Sequence, residues 1–390
     1  EFESSPNGST ISAATINSAL NRGATVTLRT GLSEEDANAK GGNIIVNNEI
    51  NFTGSDGATL NLIAHANIEI NTNIKASSSA LNINLYANES GGDGSITFAD
   101  KGGRRIEIST NGGDFNVGDD SNVGAHNVNF KGATIDLRHG TNESGRLAVY
   151  ADQDVDFGDV QFWEQESEIH SSSLSIYAGR IFNIGAPKSY AEVIKLTAAN
   201  WGFKDRPFIA EGDIEFHNLG DSEFILPEID ATGSLTISSV SNVGQRTGIK
   251  VLQEVSVTAN GHDVVLNNTD NEFGGSVWVS EANDVSLFSG ENLQLGNENK
   301  AMSIDGLLTL SSNGDVNQMG GMNVRHGVVI TQGKNINLDK KNEIASLSID
   351  NTNNAKIHNE KDLKLNKAKL TDKLHLVIAG ELTQGDVFTQ

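Results

Sequence analysis

Residues 271–295, NEFGGSVWVSEANDVSLFSGENLQL, and residues 342–365, NEIASLSIDNTNNAKIHNEKDLKL, keep their apolar positions while most other residues differ. From Ser276 onward the two align without a gap at an offset of 70. Val277 pairs with Leu347, Val279 with Ile349, Val285 with Ala355, Leu287 with Ile357, Leu293 with Leu363 and Leu295 with Leu365. A second phrase recurs as LTISSVSNVGQ (235–245), LTLSSNGDVNQ (308–318) and LHLVIAGELTQ (374–384), at offsets of 73 and 66. Within each copy, apolar and polar residues alternate with the period of a β-strand. Self-similarity at a nearly fixed period marks repeat folds, in which each unit touches only its neighbours. A solenoid absorbs drifting offsets in turns that loop outward. Read as three coils, the offset predicts a parallel β-helix of about 23 residues per coil. The usual preference of parallel strand connections makes it right-handed.

The same alternation runs through the N-terminal part, in ATVTLRT, NIIVNNEINF, ATLNLIAHANIEINTNI, ALNINLYA and RLAVYA between residues 24 and 151. Only ISAATINSALNRG (11–23) offers a helical pattern, and it is short. Of 390 residues, 37% are hydrophobic, 41 are glycine, 4 are proline and none is cysteine. That composition fills a narrow interior, and the lack of cysteine suits an exported chain that must not trap a disulfide. A net charge of −23 argues against nucleic acid as a partner, since phosphate binding needs clustered Lys and Arg. No stretch reads as a signal peptide or membrane span, and the chain reads as a piece of a longer protein.

ISAATINSALNRGATVTLRTG (11–31), GGNIIVNNEINFTGSDGATLNLIAHANIEINTNI (41–74) and NNTDNEFGGSVWVSEANDVSLFSGENLQLG (267–296) resemble the filamentous haemagglutinin-like exoproteins of Gram-negative bacteria. The likeness is to a repeat style, not to an active-site motif. It implies two-partner secretion through an outer-membrane pore and work outside the cell, most often adhesion to a glycan or glycoprotein of a host or neighbouring cell. The alternatives within that resemblance are a stalk for a contact-dependent toxin and a biofilm scaffold.

The pattern loosens in the middle, which divides the chain into coils at 1–156, an irregular aromatic-rich stretch at 157–230 and regular coils at 231–390. Residues 150–230 hold 12 of the aromatics and Pro187, Pro207 and Pro227. Proline cannot donate to a ladder, so AANWGFKDRPFIAEGD (198–213) and VQFWEQESEIHSSS (160–173) are expected to leave the coil as loops or edge elements. Loops on a rigid scaffold concentrate binding residues. Trp163, Trp201, Phe203, Lys204, Asp205 and Arg206 are therefore the candidate ligand-binding residues. The alternative is that these aromatics fill the interior where coils change cross-section.

Asp152, Asp154 and Asp156 alternate onto one outward face, with Asp159 close by, while Val155 and Phe157 point in. A solvated acidic face explains them better than calcium, because no ligand-supplying turn accompanies them. Five sequons, at Asn7, Asn51, Asn88, Asn142 and Asn267, offer glycosylation acceptors. Catalysis is the rival class, because many β-helices act on polysaccharides. Asp154, Asp156, Glu164 and Arg206 show no spacing that would mark paired catalytic carboxylates. The histidines are scattered singly. The sequence thus predicts a secreted, monomeric, non-enzymatic binding protein with no cofactor and no inserted membrane segment.

Overall fold

Alternation decides which side chains are inside. In the strand Ala58–Ala64, residues Ala58, Leu60, Leu62 and Ala64 are buried, whereas Thr59, Asn61 and Ile63 face outward. The computed structural model describes residues 2–3, 10–30, 42–87, 93–99, 105–119, 122–131, 133–139, 143–158, 168–169, 173–184, 188–189, 193–203 and 208–385. The chain forms two compact units, Glu1–Arg206 and Pro207–Gln390. Each is a β-solenoid of parallel strands stacked coil on coil.

In the first unit, in-register pairing turns each inward position into a row. Leu62 pairs with Leu85, Leu85 with Val117, Val117 with Val149, Val149 with Ile176 and Ile176 with Leu196. Two residues on, the buried Ala64, Ala87, Ala151, Ala178 and Ala198 hold the corresponding place in their coils. Leucine-sized side chains thus fill the body of a coil, and alanine serves at its edge. Each fully buried Leu, Val or Ile contributes about 1.5–3 kcal/mol by leaving water. Phenylalanines thicken one side: Phe98, Phe130 and Phe157 stack with ring centroids 4.9 and 4.6 Å apart, and Phe115 meets the first two edge-on at 6.1 and 6.2 Å. The outward aspartates and inward Val155 and Phe157 lie as the alternation requires.

The short helical pattern is a helix, Ala13–Leu20. The Ser12 hydroxyl caps it by accepting the Thr15 N–H at 3.2 Å. Ile16 and Leu20 are buried. The opposite duty falls to its asparagines: Asn17 and Asn21 accept the N–H groups of Asn51 and Thr53, at 3.0 and 2.8 Å. The helix thereby satisfies amides flanking and within the strand Ile50–Phe52, which would otherwise end unpaired.

In the second unit, two long rows can be followed through the coils. One runs Ile214, Leu235, Val255, Val277, Leu295, Gln318. The other runs Val243, Val264, Val285, Leu308, Val328, Leu347, Leu365. Successive coils lie roughly 21 residues apart, a little less than the sequence led one to expect. The expected spacing is reached only at the widest steps, Val285 to Leu308 and Leu295 to Gln318, and the narrowest are Val277 to Leu295 and Leu347 to Leu365. This spacing changes the meaning of the repeat offset. Three coils beyond Val285 lies Leu347, well short of the full offset, and Leu347 is the residue that the offset pairs with Val277 of the other row. The offset therefore carries each phrase past three coils and onto a different face. It survives as an apolar match because both faces bury alternate residues.

A second rule fixes the corners. The residue before an inward strand is repeatedly Asn or Asp, and its side-chain oxygen accepts the N–H of the residue stacked one coil on. Asn242 serves Asp263 at 3.0 Å, Asp263 serves Asp284 at 3.0 Å and Asp284 serves Leu307 at 2.7 Å. On the other face Asn292 serves Asp315, Asp315 serves Asn335 and Asn354 serves Lys373, at 2.8, 3.1 and 3.2 Å. The first unit uses Asn82, Asp114 and Asn127 in the same way. Short side chains that hydrogen-bond neighbouring backbone suit such turns. The abundance of Asn and Asp is therefore structural, and much of the acidity follows from it.

Candidate ligand-binding face

Val193–Phe203, expected to leave the coil in its second half, is a strand in parallel register with Ser173–Ile184, shifted once between Ala178 and Ile181. Trp201 pairs with Phe182, which pairs with Val155, which pairs with Val128. Val128 and Val155 are buried, so Trp201 continues an inward row. Phe203, two residues on, stacks its ring on Trp201 at 5.5 Å and 14°. Both remain half-buried. Their placement fits interior filling better than an exposed loop. Trp163, Lys204, Asp205 and Arg206 lie outside the described residues, as do the sequons at Asn7, Asn88 and Asn142. Asn51 and Asn267 are exposed, as an acceptor must be, and Asn267 donates to the Ser286 hydroxyl at 3.1 Å.

The outward face of the first unit collects what the irregular middle does not. Tyr150 and Tyr177 stand side by side in register and point away from the core, between buried neighbours Val149 and Ala151, and Ile176 and Ala178. In-register strands lie about 4.8 Å apart, so the two phenols form a short aromatic row. Tyr86 holds the same position two coils earlier, following Leu85 as Tyr150 follows Val149. In the coil between, the position belongs to Gly118, from which the chain runs out and returns antiparallel, Gly118 opposite Val123 and Asp119 opposite Asn122. Gly124 then re-enters the ladder, bonded to Ala87 at 2.6 Å and Tyr150 at 2.8 Å. A Cβ on Gly124 would stand 2.2 Å from the Gly118 nitrogen, so only glycine lets the two limbs close.

Beside the tyrosines runs an amide ladder. Asn116 donates to Asn84 at 2.9 Å, Asn84 to Asn61 at 2.8 Å and Asn61 to the Thr27 hydroxyl at 3.1 Å. Each amide uses one of its two N–H groups in this way. The row continues through Ala148 and Ser175 to the exposed Lys195. Tyr86 hydrogen-bonds Asp119 at 3.3 Å, and burial, with the negative charge of Asp119 and the bond to it, raises its phenol above the ordinary value. It stays a neutral donor. At the end of the neighbouring row Arg146 clasps Asp114 at 2.6 and 3.0 Å; burial would raise the Asp114 carboxyl, but the Arg146 bonds and charge outweigh it and hold it low. Flat aromatic faces next to fixed amides are the chemistry that packs on the C–H faces of pyranose rings and bonds their hydroxyls.

Sequence reasoning passed over these tyrosines because each occupies an ordinary outward position in a regular strand. The available signal was the shared context in LNINLYA and RLAVYA, where Tyr sits between two small or aliphatic inward residues. Acidic side chains are paired rather than clustered: His126 meets Asp152 at 2.8 Å and Lys131 meets Asp156 at 2.8 Å. Among the described residues, no group of three or more His, Asp or Glu is arranged to hold a metal ion, and no helix is long and apolar enough to cross a membrane.

A family described as "Repeats of unknown function (DUF5649)" matches residues 216–280 and 282–349. Each matched stretch spans about three coils of the second unit. No curated protein and no solved structure matches the chain.

Proposed function

We propose that this chain is a binding segment of a secreted, surface-displayed β-solenoid protein of the adhesin type, taking a glycan or glycoprotein on an outward face. Export through an outer-membrane partner pore belongs to the same reading. The observation that carries it is the register of Tyr150 with Tyr177, on the outward face whose preceding coils carry the Asn61–Asn84–Asn116 amide ladder. Neither tyrosine is needed for the core, yet both are held on strands whose inward neighbours are fully packed. The reading is of a binder, not a catalyst.

The test is a glycan array and cell-binding assay with the whole chain and with Tyr150→Ser and Tyr177→Ser. Loss of at least tenfold in affinity in either variant, with unchanged circular dichroism, supports it. Retention of wild-type binding by the double variant removes this face from consideration.

A second reading, a stalk that spaces other parts of a large exoprotein, is favoured by the unbroken rows of the second unit. It predicts no binding by the isolated chain to any cell or glycan.

A further inference from the structure

Of the two tryptophans among the described residues, Trp278 is the one on an outward position. It lies between Val277 and Val279, both fully buried, and pairs with Ser256. A built loop frames it. Six residues, 296–301, join Leu295 to Met302, whereas three join Gln318 to Met322 one coil on. The loop starts at Gly296, which bonds Val277 at 2.8 Å and has φ +81°, a conformation that disfavours a side chain. Asn297 then accepts the N–H groups of Asn299 and Lys300 at 2.9 and 3.2 Å and reaches back to Glu254 at 3.2 Å. The Trp278 indole N–H closes the frame on the Ala301 carbonyl at 3.2 Å. The Lys300 ammonium lies over the indole ring, 5.2 Å from its centroid, with no carboxylate in ion-pair range among the described residues. Beside the ring, the half-buried Ser256 and Thr258 present an outward hydroxyl array, and the Thr258 hydroxyl lies 3.4 Å from that of the buried Ser280.

We infer that Trp278, Lys300 and this array form a binding site for a pyranose bearing a carboxylate. The ammonium leaves the ring to pair with the carboxylate, the indole face it covered packs on the sugar ring, and the Ser256 and Thr258 hydroxyls take the ring substituents. Three features support this. The half-buried indole stands on an outward position, outside the packed interior. The loop that holds it is longer than its counterpart and fixed at both ends, so little ordering is lost on binding. The Lys300 ammonium is held at the indole without a carboxylate of its own among the described residues, which leaves it available to an acidic ligand. The site lies in the second unit and does not depend on the tyrosine face. A carboxylated pyranose can be a uronate within a polysaccharide or a terminal acidic sugar, and the probes separate the two.

The experiment titrates the full chain, as a Trp163→Phe, Trp201→Phe variant so that Trp278 alone fluoresces, with oligogalacturonate, with sialyllactose and with neutral galacto-oligosaccharide. Saturable change in indole emission with one or both acidic probes, at least tenfold tighter than with the neutral one, is expected, and the acidic probe that binds names the source. Lys300→Gln, at an exposed side chain, should erase that tenfold preference while Trp278 emission still reports the fold. Trp278→Ala, followed by calorimetry, should abolish binding of all three. Equal affinity for acidic and neutral probes, no saturable response to either acid, or full acidic preference in Lys300→Gln would each overturn the proposal. The tyrosine face can fail its own test without affecting any of these outcomes.

Discussion

The two units build the same coil with different tolerances. In the first, the stacked positions Thr27 and Asn61 are 34 residues apart, whereas Asn61 and Asn84, one coil on, are 23 residues apart. The step shortens again by Ile176 and Leu196. Along the two rows of the second unit the interval stays close to the common spacing throughout. Strand register hardly notices the difference. Extra length leaves the coil at corners, as at Gly118–Val123, and returns at a residue small enough to rejoin the ladder. The interiors differ as well. The first unit stacks phenylalanines face to face; the second packs Phe208, Phe216 and Phe224 edge-on and also plugs its corners with side-chain amides. Gln245 and Asn271 exchange hydrogen bonds at 2.7 and 2.9 Å, and Gln318 and Asn342 repeat the exchange at 2.5 and 3.2 Å. Short coils have sharp corners where backbone groups face inward, and a side-chain amide satisfies them.

The largest expected effect tests the aromatic interior. Phe130 is fully buried between Phe98 and Phe157, so Phe130→Ala should cost about 3–5 kcal/mol in denaturant unfolding. Hydrogen exchange should show the loss in the first unit while the second keeps its protection. Uniform loss across both units would mean that they unfold together, and the contrast between them would lose its energetic content.

Next comes the amide plug. Asn342 donates to the carbonyls of Leu338 and His358 at 3.0 and 2.9 Å and accepts the Met322 N–H at 3.1 Å, all without solvent. Asn342→Ala strands those groups, at a cost of about 2–4 kcal/mol. Asn271→Ala should cost a similar amount, since Asn271 bonds Leu266, Phe288 and Ile249 in the same pattern. If Asn342→Leu proves as stable as wild type, shape matters at these corners and hydrogen bonding does not.

The fold was legible because burial alternates at period two, which any parallel stack must obey. The coil length was less so: the repeat matched apolar to apolar across different faces, and nothing in an alternating pattern records which face a residue serves. The corner plugs were hidden in plain text, since Gln245 and Gln318 end two of the recurrent phrases, but a polar residue at a strand end reads as surface. The candidate faces were the least legible. Trp201 drew notice through its unusual neighbours, Phe203 and Lys204, while Tyr150, Tyr177 and Trp278 sit in unremarkable strands. Outwardness identifies them, and outwardness needs register.

A smaller effect of opposite sign sharpens the corners further. Glu281 turns between Ser280 and Ala282 with φ +52°, a left-handed conformation that asparagine and glycine adopt more easily, and its side chain is exposed. Asn351 occupies an equivalent turn at φ +52°. Glu281→Asn should therefore stabilise the second unit by about 0.5–1 kcal/mol, read as a higher denaturant midpoint with an unchanged slope.

The smallest effect concerns acid, and it too differs between units. In the second unit the Asp350 carboxylate accepts a hydrogen bond from Lys367 and lies 3.8 Å from Lys369, and Asp339 accepts from Lys356 at 2.9 Å. These lysine bonds hold both carboxyls below their ordinary value of 3.8. A carboxyl whose pKa is lower in the folded state binds fewer protons there than in the unfolded chain. Its contribution is thus fully present above the ordinary carboxylate range and is lost as pH falls through the lower folded value. Hydrogen exchange in the coils around 339–370 should stay constant from pH 8 to 5, after correction for intrinsic rates, and rise only below about pH 4. Asp350→Asn should remove part of that acid step and leave the neutral baseline nearly unchanged, because both partners are largely solvated and exposed pairs count for little. In the first unit a corresponding contribution comes from Asp114 and Arg146, so Asp114→Asn should remove part of the acid step there. A loss of protection between pH 7 and 5 in the second unit would sink the assignment of the acid step to Asp339 and Asp350.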